Sequence, residues 1–414
     1  MEQYTTTKPG LQEATAGKGN KKQQKATRYN WRQRRDAEIQ ADRAAHGMEH
    51  PLQPVTDGLY QDPRTGEAVP ALKDDKYAWR DKKKKTVAVA SLYRAGKDDK
   101  YADRAMSCAT WLQYLSDMKG DKRTLQAFNA CHLRLCPLCA NRRARQMTAR
   151  LVRILKAVKA EHKTATLLFL TLTVKNCTGP ELRDTLTLLT AAWAKLAKRR
   201  PFMRAVKGWF RAIEITRNKT DGTYHPHIHA ILVVEPDYFP KKNGLYIPHS
   251  RDEKTPDDYK GPFWVDMWGE CLKAGYRPSV RISRAKGKGG EQRDTDAASL
   301  NAALEAAKYA TKDSEYINGS IPEAERAGVL RTYTDALRGK RLVALGGWLA
   351  DAADGVDLED DGDLVHGDED GGDDLTAATA EMLEVYGWHF GVGEHVLRDR
   401  IPNPDYQGPG TTGG

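Results

Sequence analysis

The sequence predicts an α+β fold, a central antiparallel sheet with helices on one face. Two observations predict it. Between residues 167 and 313 the apolar patterns run strand, helix, strand, strand, strand, helix. The second and third of those strands are separated by one short polar turn, the mark of an antiparallel hairpin.

The elements follow in order. Residues 140–160 (ANRRARQMTARLVRILKAVKA) have apolar positions at helical spacing and a high arginine content. Residues 167–174 (LLFLTLTV) form an apolar run of strand length. Residues 181–199 read as a helix stopped near Pro201. Residues 209–216 (WFRAIEIT) read as a strand, Asn218 to Gly222 as a turn, and residues 225–234 (HPHIHAILVV) as the returning strand. Residues 278–284 (PSVRISR) are a further short strand. Residues 297–313 (AASLNAALEAAKYATKD) read as a helix without Gly or Pro.

Around this core the composition changes. Residues 1–100 are polar, interrupted by Pro51, Pro54, Pro63 and Pro70, and carry basic clusters at 21–25, 32–35 and 82–85. They read as a largely disordered basic extension, either contacting phosphates or simply solvated. Residues 105–160 are cysteine-rich and then basic, 161–345 hold the sheet, and 346–414 read as an acidic tail. Residues 351–374 contain twelve Asp and Glu and no Lys or Arg. Taking those twelve charges out of a net +10 leaves +22 on the remainder, which suggests a polyanionic partner such as nucleic acid. The segment MLEVYGWHFGV (382–392) has no assignable role from the sequence. No run of 18 apolar residues and no signal-peptide core occur, so a cytoplasmic protein without membrane contact and with reduced cysteines is expected.

The sharpest pattern is His225-Pro-His227-Ile-His229 at the start of an apolar strand. Alternate residues share a strand face, so His227 and His229 project together, about 6–7 Å apart. Two imidazoles at that spacing converge on one ion. His225 shares the face but sits at the strand entrance. In Ala212-Ile213-Glu214-Ile215-Thr216, Glu214 faces away from its flanking isoleucines and supplies the carboxylate that complements them. Such a donor set suits Mn²⁺, Mg²⁺ or Zn²⁺.

Four of the six cysteines lie within 32 residues. Cys136-Pro-Leu-Cys139 is a knuckle of the zinc-gripping kind, and Cys131 and Cys108 complete a structural four-cysteine site, with His132 as the substitute ligand. Four buried free thiols are the alternative. Arg142, Arg143 and Arg145 follow the knuckle and are candidate DNA contacts. In Glu305-Ala-Ala-Lys308-Tyr309-Ala-Thr-Lys312, Glu305 and Tyr309 share a helix face. Taken alone, that spacing is a commonplace stabilising pair. Beside the histidines it offers a nucleophilic phenol, a general base, and cations that favour phenolate.

Together these segments resemble a known family. CHLRLCPLCANRRARQ resembles the cysteine-arginine block of rolling-circle plasmid replication proteins, and FLTLTV their first strand motif. YHPHIHAILVV resembles the histidine-hydrophobic-histidine motif of the HUH endonuclease superfamily, and EAAKYATKDSEY its tyrosine motif. The resemblance covers roughly residues 105–316. It implies a ferredoxin-like nuclease sheet with a divalent metal, Mn²⁺ or Mg²⁺, on its open face. It further implies His227 and His229 as the paired ligands and Tyr309 as the nucleophile that becomes linked to a 5′ phosphate. Glu305 stands where related bacteriophage initiators have a second tyrosine, which implies hydrolytic termination. Plasmid origin DNA, a host helicase and a DNA polymerase are the implied partners. A transposase or relaxase with the same chemistry fits Glu305 and the cysteine block less well. A non-catalytic zinc-containing DNA-binding regulator leaves the alternating histidines without a purpose.

Overall fold

The computed structural model describes residues 51–73, 77–240, 244–251, 259–284, 314–354, 364 and 375–408. The chain divides into two compact units. In the first, strands β1 (Gln53–Thr56) and β2 (Leu59–Gln61) form a hairpin around Asp57 and Gly58. Gly58 has a φ of 72°, which glycine adopts without steric cost in a two-residue turn. The sequence reading left this hairpin inside a disordered extension.

A short strand, β3 (Ala68–Pro70), follows, and the second unit, which runs from Val69, carries helices α1 (Trp79–Ala95) and α2 (Asp99–Ser107). Helix α1 falls within the extension expected to be largely disordered, and α2 begins at its boundary near residue 100. The lysine run 82–85 conceals an amphipathic helix. Trp79, Val89, Ala90 and Leu92 are buried in the core, and Lys83 is buried with them. Asp98 caps α2 by accepting a hydrogen bond from the Tyr101 amide. Strands β4 (Trp111–Ser116) and β5 (Arg123–Phe128) follow, then the long helix α3 (Pro137–Glu161), opened by Pro137 in its first turn.

The central elements are β6 (Thr166–Thr173), α4 (Leu182–Ala197), α5 (Arg200–Ala205), β7 (Gly208–Arg217) and β8 (Tyr224–Val234). They continue with α6 (Trp264–Leu272), β9 (Val280–Arg284), α7 (Ser314–Ile317), α8 (Glu323–Leu337), β10 (Val343–Gly347) and α9 (Trp348–Ala352). Pro201 sits in the first turn of α5, so it starts a new helix as well as stopping the old one. The sheet is antiparallel with order β10-β7-β8-β6-β9. The α+β class and the antiparallel sheet are as the sequence indicates. The helix expected over 297–313 lies outside the described residues, apart from the short α7 that follows it.

The sheet has two unlike faces. Leu168, Leu170, Leu172, Ile213, Ile215, Ile228, Ala230 and Leu232 form one face, sealed by apolar side chains of α4, α6 and α8. On the other, Leu167, Phe210, Ala212, Ile231, Val233 and Val343 pack against Met147, Leu151, Ile154, Leu155 and Val158 of α3 and Leu349 of α9. Each large side chain on the α3 stripe is worth about 2 kcal/mol of burial. That apolar cover ends where Glu214, His227 and His229 begin.

A second sheet has the order β12-β11-β4-β5 and joins distant parts of the chain. Strand β11 (Met382–His389) lies in the segment without an assignable role and β12 (Glu394–Pro402) follows it, and β11 pairs with β4 from Met382↔Ser116 to Gly387↔Trp111. Glu384, 2% exposed, is gripped by Arg123 Nε at 2.7 Å and Arg400 Nε at 3.2 Å, and it accepts from the Tyr386 hydroxyl. Paired this way, the buried carboxylate is compensated. Among the described residues no helix is long and apolar enough to cross a membrane.

His395 of β12 ties this sheet to the turn after α2, its Nε2 donating to the Ala109 carbonyl at 2.7 Å. Burial pushes the imidazole down to about 4, against the carbonyl bond that favours the cation, and the Lys83 charge adds to the lowering. The unfolded chain therefore takes up a proton below about pH 6.5 that the folded chain refuses until about pH 4. This contribution to stability is intact above pH 6.5 and fades as pH falls toward 4. Between pH 7 and 4.5 the parent should lose about 2–3 kcal/mol more stability than His395→Gln, which keeps a donor without titrating. Urea denaturation at the two pH values measures the difference, and equal losses would refute the assignment.

Candidate metal centres

The first centre is built by strand register. In the β7–β8 ladder Glu214 stands directly opposite His227, and Ala212 opposite His229. The small Ala212 leaves room beside His229, so Glu214 reaches both rings. Its Oε2 lies 3.1 Å from His229 Nε2 and 3.5 Å from His227 Nε2. The three ligand atoms lie within 4.8 Å of one another. Metal bonds of about 2.1 Å would put neighbouring ligand atoms about 3–3.5 Å apart, so the spacing suits one ion. The hairpin turn holds the strands in this register through Asn218 N to Thr223 O at 2.8 Å and Gly222 N to Asn218 O at 2.9 Å. Pro226 lies past the last β6–β8 pair, Thr173↔His227, where β8 no longer has β6 beside it.

The outer nitrogens of the rings are engaged too. His227 Nδ1 lies 3.1 Å from the His225 carbonyl oxygen. A carbonyl only accepts, so this nitrogen carries a proton, and Nε2 is the ring atom left facing the carboxylate. Burial works against ionisation of Glu214, but hydrogen bonds and charge from His227 and His229 outweigh it and hold the carboxyl well below its usual range. The donor set thus fits a divalent cation. The His225 ring stands on the same face, with its centroid 5.3 Å from that of His227, but it is not part of the three-residue group. It contributes its carbonyl. Burial, then the neighbouring His227, lowers its own pKa.

The second centre gathers Cys108, Cys131, Cys136 and Cys139, all buried. Sγ separations are 3.5 Å for Cys108–Cys139, 3.6 Å for Cys131–Cys139 and 3.6 Å for Cys108–Cys136. Four sulfurs about 2.3 Å from a tetrahedral zinc would lie about 3.8 Å apart, close to what is seen. Cys108 ends α2, Cys131 follows β5, and Cys136 and Cys139 occupy the first turn of α3. The positive end of the α3 dipole favours thiolates there. Burial resists ionisation of Cys136, but hydrogen bonds from the other three thiols hold it well below its ordinary value. His132, the substitute ligand, adopts a left-handed φ of 55° and lies outside the group.

Two residues of α1 complete this centre and were not visible in the sequence. Thr86 Oγ1 lies 3.6 Å from Cys136 Sγ. The buried Lys83 ammonium donates to the carbonyls of Met106 at 2.7 Å and Cys108 at 2.5 Å. A cation here offsets part of the excess negative charge of a four-thiolate metal site. The one sequence signal is the lysine run, whose composition suggests phosphate contacts or a solvated tail.

The remaining candidates divide. Arg142 is 2% exposed, its Nε donates to the Leu364 carbonyl at 2.7 Å, and its guanidinium lies 5.0 Å from the Tyr77 ring centroid. Burial therefore takes it out of the expected DNA-contacting run. Arg143 and Arg145 are half-buried, and Arg145 also lies over Tyr77. Glu305, Lys308, Tyr309 and Lys312 lie outside the described residues. The other tyrosine of that motif, Tyr316, is buried and donates to the Leu135 carbonyl at 3.0 Å, beside the cysteine knuckle.

Comparison with known proteins identifies the family. A family described as replication protein, Rep_1, matches residues 122–394, which take in Glu214, both histidines and three of the four cysteines. A protein named "Protein rep" from Bacillus amyloliquefaciens is 31% identical over 336 residues, covering 77% of this chain and 94% of its own length. Its namesake from Lactiplantibacillus plantarum is 32% identical, covering 75% of this chain and 92% of its own. One from Streptococcus pneumoniae is 30% identical, covering 73% and 87%. No solved structure gives a significant match. With the family matching about two thirds of its length, this chain belongs to the Rep_1 replication protein family, whose members include initiators of plasmid replication.

Proposed function

We propose that this protein initiates rolling-circle replication by nicking one strand of a plasmid origin through a covalent phosphotyrosine intermediate. The observation that carries the reading is the convergence of Glu214, His227 and His229 on one sheet face. A divalent cation held by those three residues, Mn²⁺ or Mg²⁺, supplies Lewis-acid polarisation of a phosphate oxygen.

The chain's own residues do the rest. The Tyr309 oxygen attacks phosphorus as the bond to the 3′ oxygen breaks. The 5′ phosphate stays on the tyrosine, and the leaving oxygen takes up a proton to become a 3′ hydroxyl. One phosphodiester replaces another, so the nick can be resealed without ATP, and the free 3′ hydroxyl primes a host polymerase behind a host helicase. Lys308 and Lys312 offset phosphate charge near the phenol. Glu305 takes a proton from water to hydrolyse a later phosphotyrosine and end replication. Arg143, Arg145 and the exposed Arg281 of β9, on the same sheet face as Thr171, contribute backbone contacts. The four cysteines hold zinc as a structural staple.

With a supercoiled origin plasmid and Mn²⁺, Tyr309→Phe should abolish nicking while gel-shift affinity for the origin is retained. Nicking by this variant at the parent rate would rule out the assignment. His227→Ala should reproduce the effect of EDTA, a loss on the order of a hundredfold or more in single-turnover rate. If Glu305→Ala prevented the first nick as fully as Tyr309→Phe, its termination role would be wrong. For the cysteine centre, elemental analysis should find about one zinc per chain, and its removal should lower the melting temperature. A Cys136→Ser protein melting like the parent would argue for free thiols.

A further inference from the structure

Thr171 lies in β6, directly opposite His229 in the β6–β8 ladder. Its Oγ1 is 3.3 Å from His229 Nδ1, on the side of the ring away from Glu214. His229 can offer a lone pair from Nε2 to a cation only if its proton resides on Nδ1, and that proton needs an acceptor in a half-buried place. We propose that Thr171 is a positioning residue for the sheet centre: its hydroxyl accepts the Nδ1–H of His229, fixing the tautomer and ring plane that present Nε2 to a divalent cation. The inference rests on the reading of Glu214, His227 and His229 as a metal site.

The surroundings favour an orienting role. Phe169, two residues earlier on the same strand face, packs on the His229 ring with centroids 5.8 Å apart at 42°. His227 meets it edge-on at 4.8 Å and 83°. The ring thus has apolar or aromatic walls, and Thr171 supplies a polar contact to its outer nitrogen. A β-branched side chain on a strand has restricted χ1 freedom, so the hydroxyl is held in place. His227 solves the same problem with a main-chain oxygen, that of His225, which no side-chain change removes. The two ligands therefore differ: one is oriented by the backbone, the other by a replaceable side chain.

The test uses the full-length chain with its zinc in place and Mn²⁺ as the probe, titrated by electron paramagnetic resonance. Thr171→Val preserves shape and strand propensity but removes the acceptor, and should weaken Mn²⁺ binding about 10–100-fold. Thr171→Ser, which restores a hydroxyl, should bind within about threefold of the parent. Parent-like affinity in the Val variant would overturn the proposal, as would a Ser variant as weak as Val. So would a Val variant that melts well below the parent without Mn²⁺, since Thr171 would then be a packing residue. If the parent and His227→Ala took up Mn²⁺ identically, the metal site itself would be wrong, and that failure is distinguishable because no substitution on this face would matter.

Discussion

The antiparallel register of three adjacent strands is the constraint on which the candidate chemistry depends. The β7–β8 ladder sets Glu214 against His227, and the β6–β8 ladder sets Thr171 against His229. Side chains alternate with a period of two along a strand. A one-residue slip of β8 would send both histidines into the sealed apolar face and bring Ile228 and Ala230 to the surface. The burial of Ile228, Ala230 and Leu232, each at 0% exposure, is therefore what prevents such a slip. Hydrophobic packing on one side of the sheet holds the ligand geometry on the other.

The division of the polar face follows from the same logic. Helix α3 lies over the end of the sheet carrying Leu167, Phe210, Ile231 and Val233, and its apolar stripe stops before Glu214. Glu214, His227 and His229 consequently stand on strands that are packed beneath them and capped beside them. His227 is 12% and His229 20% exposed, so most of each ring is held. A carboxylate between two imidazoles at this depth keeps its charge, because what burial takes away the rings restore. Helix α3 also begins at Cys136, so one element carries the cysteine centre at its N-terminus and caps the sheet along its length.

Much of this was legible in the sequence because it is local. The alternation His225, His227, His229 and the flanking of Glu214 by Ile213 and Ile215 state a strand face directly, and the turn 218–222 fixes their pairing. The Cys136–Cys139 knuckle is equally local, and Cys108 and Cys131 join it as expected. What could not be read depends on distant contacts. Lys83 looks like one of four solvated lysines until the end of α2 and the Cys108 carbonyl engage it. Arg142 looks like its neighbours until Leu364 and Tyr77 cover it. Strands β11 and β12 pair locally with each other, but the sheet they join could not be read, because β11's other partner, β4, lies more than 250 residues earlier. Tyr309 and Glu305 remain a sequence-based reading.

The second sheet shows why such distant pairing matters. Strands β11 and β12 close over β4 and bring Glu384 against Arg123 and His395 against Ala109. Ala109 is the residue after Cys108, and the buried Lys83 donates to the Cys108 carbonyl. The loop that presents a cysteine to the centre is therefore fixed from two sides, by a helix before it and by a strand from near the end of the chain. A four-thiolate site tolerates little drift, since each sulfur must stay near 2.3 Å from a shared ion, a figure of about 0.2 Å latitude. Local spacing can bring two cysteines into a knuckle, but holding the third and fourth requires the fold, and here the fold supplies both halves of that support.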